Sequence, residues 1–261
     1  MLKPLLLACT AALTILATVS GPARAQPKKE TPAEKLPDFP KLDPKNVTEY
    51  LNKEKTILGE FAGEKGQRKL IRVGLVAEVC LREGPLELFL CKKGTKEHES
   101  IVRVDADAQF IHAALELAGA KPGTTTQFVD ENGNPKWKAA TGSRIKVLVH
   151  YTMGGKTFTH PAQEWIRDRE KSKKDKRDVI IPYGWVFAGS KELVDPCDSK
   201  RKFYAANSGD VISISNFPYS MLEIPADISK DDAFLTYEAL TEKIPPQFSK
   251  VWIVLEPVLK G

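Results

Sequence analysis

Apolar and β-branched residues are concentrated in short segments beyond residue 70, and turn residues separate these segments. Runs of this length and composition predict β-strands. Gly84-Pro85 and Gly154-Gly155 lie between neighbouring segments, so the pattern predicts hairpins at these two places. Strands are predicted over residues 70–81, 86–91, 101–104, 144–152, 156–159, 185–188, 203–205, 211–215, 235–240 and 250–255.

One amphipathic helix is predicted over residues 108–118, where apolar positions recur at helical spacing. An aspartate, either Asp105 or Asp107, precedes the helix as its N-cap, and Gly119 ends it. The core stripe consists of Ile111, Ala114, Leu115 and Ala118. The prediction is therefore an α+β fold with a largely antiparallel sheet, one main helix and few short helices.

Two polar segments are predicted to be exposed loops. Residues 124–142 contain turn-forming residues, and residues 167–178 are a run of charges.

The first 25 residues have the features of a secretory signal peptide. Lys3 supplies the positive start, residues 5–19 are apolar, and Ala23-Arg-Ala25 is a cleavage site that makes Gln26 the first mature residue. The apolar segment is short for a membrane span, and no second one follows, so no transmembrane segment is expected after cleavage. Lipidation at Cys9 and a retained N-terminal anchor are alternatives. The chain is expected to be exported, to the periplasm or out of the cell.

Residues 26–45 are rich in Pro and Lys and are predicted to be a disordered linker. Residues 46–261 are predicted to form one domain. Loss of Lys3 and Arg24 with the signal lowers the formal net charge from +5 to +3. Basic and acidic residues are interspersed, so charge gives no evidence for a nucleic-acid partner.

Three cysteines, Cys80, Cys91 and Cys197, would remain after signal cleavage. An odd number in an oxidising compartment allows one disulfide and one free thiol. Cys80 and Cys91 flank a predicted hairpin and are the favoured pair. The alternative is that all three are buried as small apolar residues.

A polar cluster is the candidate site, and it consists of Cys91, Lys96, His98, Glu99, Ser100 and His112. Under a first hypothesis, His98, His112 and a cysteine or glutamate, with Cys91 as the candidate cysteine, bind zinc or another transition metal. Under a second, Cys91 or Ser100 is a nucleophile with His98 as its base. Under a third, the cluster is structural and its members satisfy one another and the backbone.

Several segments carry a family resemblance: Cys80-Leu-Arg-Glu-Gly-Pro-Leu-Glu-Leu-Phe-Leu-Cys91, Gly94-Thr-Lys-Glu-His-Glu-Ser100, Ile111-His-Ala-Ala114, Gly119-Ala-Lys-Pro-Gly123, Trp185-Val-Phe-Ala-Gly-Ser190, Asp210-Val-Ile-Ser-Ile-Ser-Asn-Phe-Pro218 and Met221-Leu-Glu-Ile-Pro225. Together they resemble the YdjY-domain family of exported bacterial proteins over most of residues 70–257. The resemblance implies a domain and a compartment, and no established activity. Some family members carry a ferredoxin-type iron–sulfur label, but this chain lacks the cysteine spacing for such a cluster.

No recognised catalytic motif is present, so the chain is not predicted to be an enzyme. The favoured function is a non-catalytic binding or interaction module of the cell envelope, with an envelope protein or ligand as its partner. The alternatives are a metal-binding or redox protein centred on Cys91, His98 and His112, and a hydrolase of envelope material.

Overall fold

The computed structural model describes residues 32–131, 133–195, 197–228 and 235–259. The predicted signal peptide and residues 26–31 of the predicted linker lie outside these residues. The strands are β1 (Val47–Tyr50), β2 (Ile57–Ala62), β3 (Lys69–Val79), β4 (Leu88–Lys92), β5 (Ser100–Val104), β6 (Gln127–Glu131), β7 (Asn134–Lys138), β8 (Arg144–Met153), β9 (Lys156–Pro161), β10 (Ile166–Asp168), β11 (Trp185–Phe187), β12 (Glu192–Asp195), β13 (Asp198–Tyr204), β14 (Ile212–Ser213), β15 (Leu222–Glu223), β16 (Tyr237–Ala239) and β17 (Lys250–Val258). The helices are α1 (Ala108–Leu117), α2 (Arg169–Asp175) and 3₁₀ turns at Glu97–Glu99, Ala162–Trp165, Ala205–Ser208 and Thr241–Lys243.

Eight strands close into a barrel in the order β3, β17, β8, β11, β15, β14, β4 and β5, and the pairing of β5 with β3 completes the ring. The closing pair has three residue pairs, from Ala77 opposite Val104 to Val79 opposite Val102. Two neighbouring pairs, β4–β5 and β14–β15, are parallel, and the other pairs in the ring are antiparallel. Strand β2 extends the sheet beyond β3, β1 pairs with β2, and β9 pairs with β8.

The predicted α+β class is wrong, because strands account for 42% of the structure and helices for 14%, and the main sheet is a closed barrel. The individual strands have the alternation of apolar and polar residues that is typical of β-structure. The barrel closes through backbone hydrogen bonds between β3 and β5, and the sequence of either strand does not indicate its partner. The predicted helix is present as α1, and it buries Ile111 and Leu115 in the barrel core.

The inward-facing side chains alternate along the long strands as a pleated sheet requires. Ile145, Val147 and Val149 of β8 face the core, as predicted, and Ile253 of β17 joins them. Leu148 and Trp252 point to the opposite side, where they form a second cluster with Val254, and Leu36 and Phe39 of an N-terminal segment pack against it.

Both predicted loops contain regular structure. Residues 124–142 include the β6–β7 ribbon. The charge run includes α2, which begins where the Asp168 side chain accepts a hydrogen bond from the Lys171 N–H (3.0 Å) and ends at Lys176 in the left-handed conformation. Local capping therefore forms a short helix in a sequence without an apolar stripe.

The described part of the predicted linker, residues 32–45, packs on the barrel instead of lying free. Lys250 N–H donates to the Glu34 carbonyl (3.0 Å), and Trp252 Nε1 donates to the Pro37 carbonyl (2.9 Å). The Phe39 ring meets the Trp252 ring edge-on, with centroids 5.2 Å apart. Gly74 makes room for Phe39, since a Cβ at Gly74 would lie 2.4 Å from that ring.

Within the described residues, no helix is long and apolar enough to cross a membrane.

Candidate functional site

The predicted polar cluster divides into three separate environments. Cys91 and Ser100 are fully buried on adjacent strands β4 and β5. The Ser100 hydroxyl donates to the Val102 carbonyl (2.9 Å), and Cys80 Sγ lies 3.1 Å from the Ser100 carbonyl oxygen. The Ser100 hydroxyl is thus held by the backbone inside the protein, which does not fit a nucleophile facing a substrate.

Lys96 lies between acidic groups at the entrance to β5. Its Nζ is 3.1 Å from Asp210 Oδ1 and 3.4 Å from Glu99 Oε1, and it lies 4.0 Å from the centroid of the Phe217 ring. Burial opposes the charge of Lys96, but Asp210 and Glu99 outweigh it and hold the pKa of this ammonium above its ordinary value. Lys96 is therefore a paired, charged residue in a structural network.

His98 points to solvent from the 3₁₀ turn, with 77% of its side chain exposed, and its Nε2 lies 3.6 Å from Glu99 Oε2. It does not approach the buried Cys91.

His112 lies on α1 and belongs to an aromatic cluster. Its Nδ1 is 2.8 Å from the Tyr204 hydroxyl, which donates to the Gly189 carbonyl (2.8 Å). This second hydrogen bond uses the tyrosine proton, so His112 carries its proton on Nδ1 and donates it to Tyr204. The His112 ring also packs edge-on against Phe187, with centroids 4.7 Å apart, while Nε2 lies 3.5 Å from Glu116 Oε2.

The structure does not bring the three predicted metal ligands together. Cys91 is buried in β4, His98 faces solvent, and His112 is bonded to Tyr204. In the part of the chain that the structure describes, no group of three or more His, Cys, Asp or Glu side chains is arranged to hold a metal ion.

A groove of about 750 Å³ lies where β2, β3 and the end of β17 meet the C-terminal end of α1. Leucines from four separate parts of the chain contribute to its wall: Leu42, Leu51, Leu117 and Leu259. Phe61 and Leu70 lie beside them. A volume of this size suits a small-molecule ligand.

The apolar wall of the groove is open to solvent. Leu42 is 66% exposed, Leu117 is 73% exposed and Leu259 is 56% exposed. Gly119 has a left-handed φ of 88°, and Leu259 Cδ1 would lie 3.3 Å from a Cβ at that position, so Gly119 both ends α1 and admits Leu259 to the wall. Contiguous exposed apolar side chains of this kind mark interaction surfaces.

A buried ion pair fixes one side of the groove. Arg72 Nη1 lies 3.1 Å from Glu60 Oε2, and these side chains are 4% and 0% exposed. Glu60 Oε1 also accepts hydrogen bonds from Leu42 N–H and Asn46 Nδ2, both at 2.7 Å. Arg72 Nε lies 3.4 Å from Glu256 Oε2 on β17. The pair therefore ties the segment bearing Leu42 to the barrel.

Two basic residues, Arg68 and Lys69, line the groove and are exposed. Neither forms an ion pair within the described residues, whereas Arg72 beside them is ion-paired with Glu60 and with Glu256, which also line or border the groove. The groove thus combines an apolar wall with two available positive charges.

The family model of the YdjY domain matches residues 62–256, about three quarters of the chain. The chain belongs to the YdjY-domain family. This finding confirms the resemblance drawn from the sequence segments. No curated protein and no solved structure matches the chain.

The matched YdjY domain begins at the last residue of β2. Leu42, Leu51 and Phe61 of the groove precede it, whereas Leu117 lies within it. Leu259 follows the matched range, so the groove is built jointly by the YdjY domain and by the residues that flank it on both sides in this chain.

The groove residues are absent from the predicted site, because they are far apart in sequence and each resembles an ordinary surface or core leucine. One signal was available in α1. Leu117 lies outside the apolar stripe of that helix and yet is large and apolar, which is the expected mark of a second contact surface.

Proposed function

We propose that this YdjY-domain protein is an exported, non-catalytic binding module of the cell envelope, and that its groove binds an amphiphile with an alkyl chain and an anionic head group. The observation that carries the proposal is the juxtaposition of open apolar side chains with Arg68 and Lys69.

The apolar part of the ligand follows from the groove wall. Covering Leu42, Leu117 and Leu259 would remove apolar surface from water, and each Å² covered contributes roughly 25 cal/mol. A flexible alkyl chain can follow a wall that is assembled from β2, β3, β17 and α1.

The charge of the head group follows from the two basic residues. An anion placed beside Arg68 and Lys69 would gain charge-assisted hydrogen bonds without displacing a partner from among the described residues. A cationic head group would be repelled at the same place.

Export is supported by the sequence of residues 1–25, whose charge, apolar segment and small-residue cleavage site are those of a secretory signal. The intact mass of the protein recovered from the envelope fraction tests it, with a chain beginning at Gln26 as the expected result. An unprocessed chain in the cytoplasm would contradict export without bearing on the groove.

Ligand binding is tested by isothermal titration calorimetry of the processed protein with three monomeric probes of equal chain length. Dodecanoate is expected to bind in a saturable manner, dodecanol more weakly, and dodecyltrimethylammonium most weakly. Equal affinity for all three probes would remove the role of Arg68 and Lys69, and lack of saturable binding by dodecanoate would contradict the proposal.

A substitution at Leu117 tests the place of binding. Leu117→Glu puts a carboxylate on the apolar wall and should weaken dodecanoate binding about tenfold or more, equivalent to 1.4 kcal/mol. Phe128→Glu is the matched control, because Phe128 is 70% exposed on β6 and does not line the groove. Equal losses in the two variants would place the binding elsewhere.

A further inference from the structure

The charge run at residues 167–178 lines a second concave surface, which shares no residue with the groove. This cleft of about 460 Å³ is formed by α2, the residues that follow it, and the paired strands β10 and β16. Five basic and two acidic side chains line it, so the lining has an excess of three positive charges. The basic side chains are those of Arg167, Arg169, Lys173, Lys176 and Arg177.

Backbone contacts hold the walls of the cleft together. Pairing of β10 with β16 places Arg167 directly opposite Glu238. The Asp168 N–H donates to the Val179 carbonyl (2.8 Å), and the Val179 N–H donates to the Ser172 hydroxyl (2.9 Å). The charge run therefore turns back on itself, and its basic side chains line one concave surface instead of following an extended loop.

Two arginines of the cleft are held by partners and still have free donors. Arg167 Nε donates to Glu238 (2.8 Å), and Arg167 Nη1 donates to Asp178 (3.1 Å). Arg169 Nη1 donates to the Leu235 carbonyl (3.3 Å), and Arg169 Nε lies 3.5 Å from Glu238 Oε2. Among the described residues, the Nη2 group of neither arginine has a partner. Because a guanidinium held in this way is already ordered, it can donate to an anion at a small cost in side-chain entropy.

The other three cations are only weakly engaged. Lys176 forms no ion pair within the described part of the chain. Lys173 Nζ lies 3.2 Å from Glu170 Oε1, and Arg177 Nη2 lies 3.7 Å from Asp175 Oδ2, with all of these side chains exposed. Exposed ion pairs contribute little to stability, so an anion that enters the cleft can compete for these cations.

We infer that this cleft binds a small, soluble phosphorylated molecule through its phosphate oxygens. A phosphate group carries about two negative charges near neutral pH, and its oxygens match the N–H groups that arginine presents. A carboxylate carries a single charge and would leave more of the positive excess unmatched. The concave shape favours a small molecule over the flat surface of a membrane. The inference depends neither on the ligand of the groove nor on export.

Isothermal titration calorimetry of the full-length chain tests the inference, with pyrophosphate as the probe in a buffer that is free of divalent cations and has constant ionic strength. Pyrophosphate should bind in a saturable manner at one site, and acetate should bind much more weakly. Absence of saturable pyrophosphate binding, or binding of acetate with equal affinity, would overturn the inference.

Two double variants with the same change of charge test the place of binding. Lys173→Gln with Lys176→Gln removes two cations from the lining, whereas Lys171→Gln with Lys174→Gln removes two cations of α2 that do not line the cleft. Each variant also loses one exposed ion pair, from Lys173 to Glu170 or from Lys171 to Asp168. The lining variant should weaken pyrophosphate binding roughly fivefold, and the control should weaken it less than about twofold. Equal weakening would mean that binding follows net charge alone, and it would overturn the inference.

Co-sedimentation with phosphatidylglycerol vesicles distinguishes a soluble phosphate from a lipid phosphate. Equal sedimentation of the wild type and the lining variant is expected, including any that the groove causes. Sedimentation of the wild type that the lining variant loses would overturn the inference, because the cleft would then bind the phosphates of a membrane.

Discussion

The segment from Lys96 to His112 and the groove beside Leu117 differ in what the fold leaves unpaired. In the first region, Lys96 is paired with Asp210 and Glu99, and His112 is bonded to Tyr204. In the groove, Arg68 and Lys69 form no ion pair within the described residues, and large leucines are exposed. Apart from His98, which faces solvent, the reactive residues of this segment are thus held in structural contacts. Available surface can arise instead from distant and chemically plain residues.

The largest effect is expected when the paired charges of the groove are broken. Arg72→Met leaves the fully buried Glu60 without its cation and should lower the free energy of unfolding by about 3–5 kcal/mol. The double variant Glu60→Gln, Arg72→Met should regain much of this loss, because no charge of the pair remains buried. Urea unfolding measures both changes.

Arg68→Met is the control for this prediction. Arg68 is exposed and unpaired within the described part of the chain, so its replacement should change stability by less than about 0.5 kcal/mol. If Arg68→Met and Arg72→Met lowered the free energy of unfolding by similar amounts, the distinction between an ion-paired Arg72 and an unpaired Arg68 would be wrong.

A smaller effect is expected from the two histidines of the predicted metal site. His112→Phe removes the hydrogen bond to Tyr204 but keeps an aromatic ring against Phe187, and it should cost about 1 kcal/mol. His98→Ala should cost less than about 0.5 kcal/mol, because that side chain is 77% exposed. Urea unfolding of both variants checks these values.

Metal analysis of the same variants sharpens the comparison. Wild type, His98→Ala and His112→Phe are expected to contain equal amounts of zinc, iron and copper, since the two histidines belong to separate environments. A stoichiometric metal that both substitutions remove would show that the segment forms a site after all.

The smallest effect concerns pH and the N-terminal segment that leads to the groove. Burial lowers the pKa of His150 below its ordinary value of 6.5, even though hydrogen bonds to the Asp38 and Phe158 backbone oppose the shift. The unfolded chain therefore binds the proton more tightly, and the stabilising contribution is present above pH 6.5 and is lost as the pH falls through the folded pKa. His150→Gln should flatten that part of a stability–pH curve measured by urea unfolding. An unchanged slope would contradict the assignment to His150.

Local pattern was sufficient for elements that bury one regular face. The alternation of Ile145, Val147 and Val149 predicts β8, and the stripe around Ile111 and Leu115 predicts α1, as the structure confirms. Strand β13 is different, because six of its seven residues are exposed and its order comes from pairing with β12. Pairing partners are a tertiary property, and for the same reason the closure of β5 on β3 could not be predicted.

The candidate site could not be predicted for the same reason, because the contacts of a side chain depend on the tertiary fold. Sequence shows that His98 and His112 can bind metals, but only the fold determines that one faces solvent and the other bonds Tyr204. Conversely, the composition of residues 32–45 alone indicates disorder. The segment nevertheless packs through the Phe39–Trp252 contact, because the barrel supplies the apolar surface that the segment lacks.

The position of β17 has a consequence for the time course of folding. This strand lies between β3 and β8 in the ring, and its pairing joins Leu255 to Val73, which are 182 positions apart in the chain (255 − 73). Contacts of such high sequence separation slow folding, because the intervening chain must be ordered before they stabilise it. While the chain is being synthesised, the barrel stays open until residues 250–258 have emerged. Until then, the edge of β3 and the edge of β8 that pair with β17 have no partner strand.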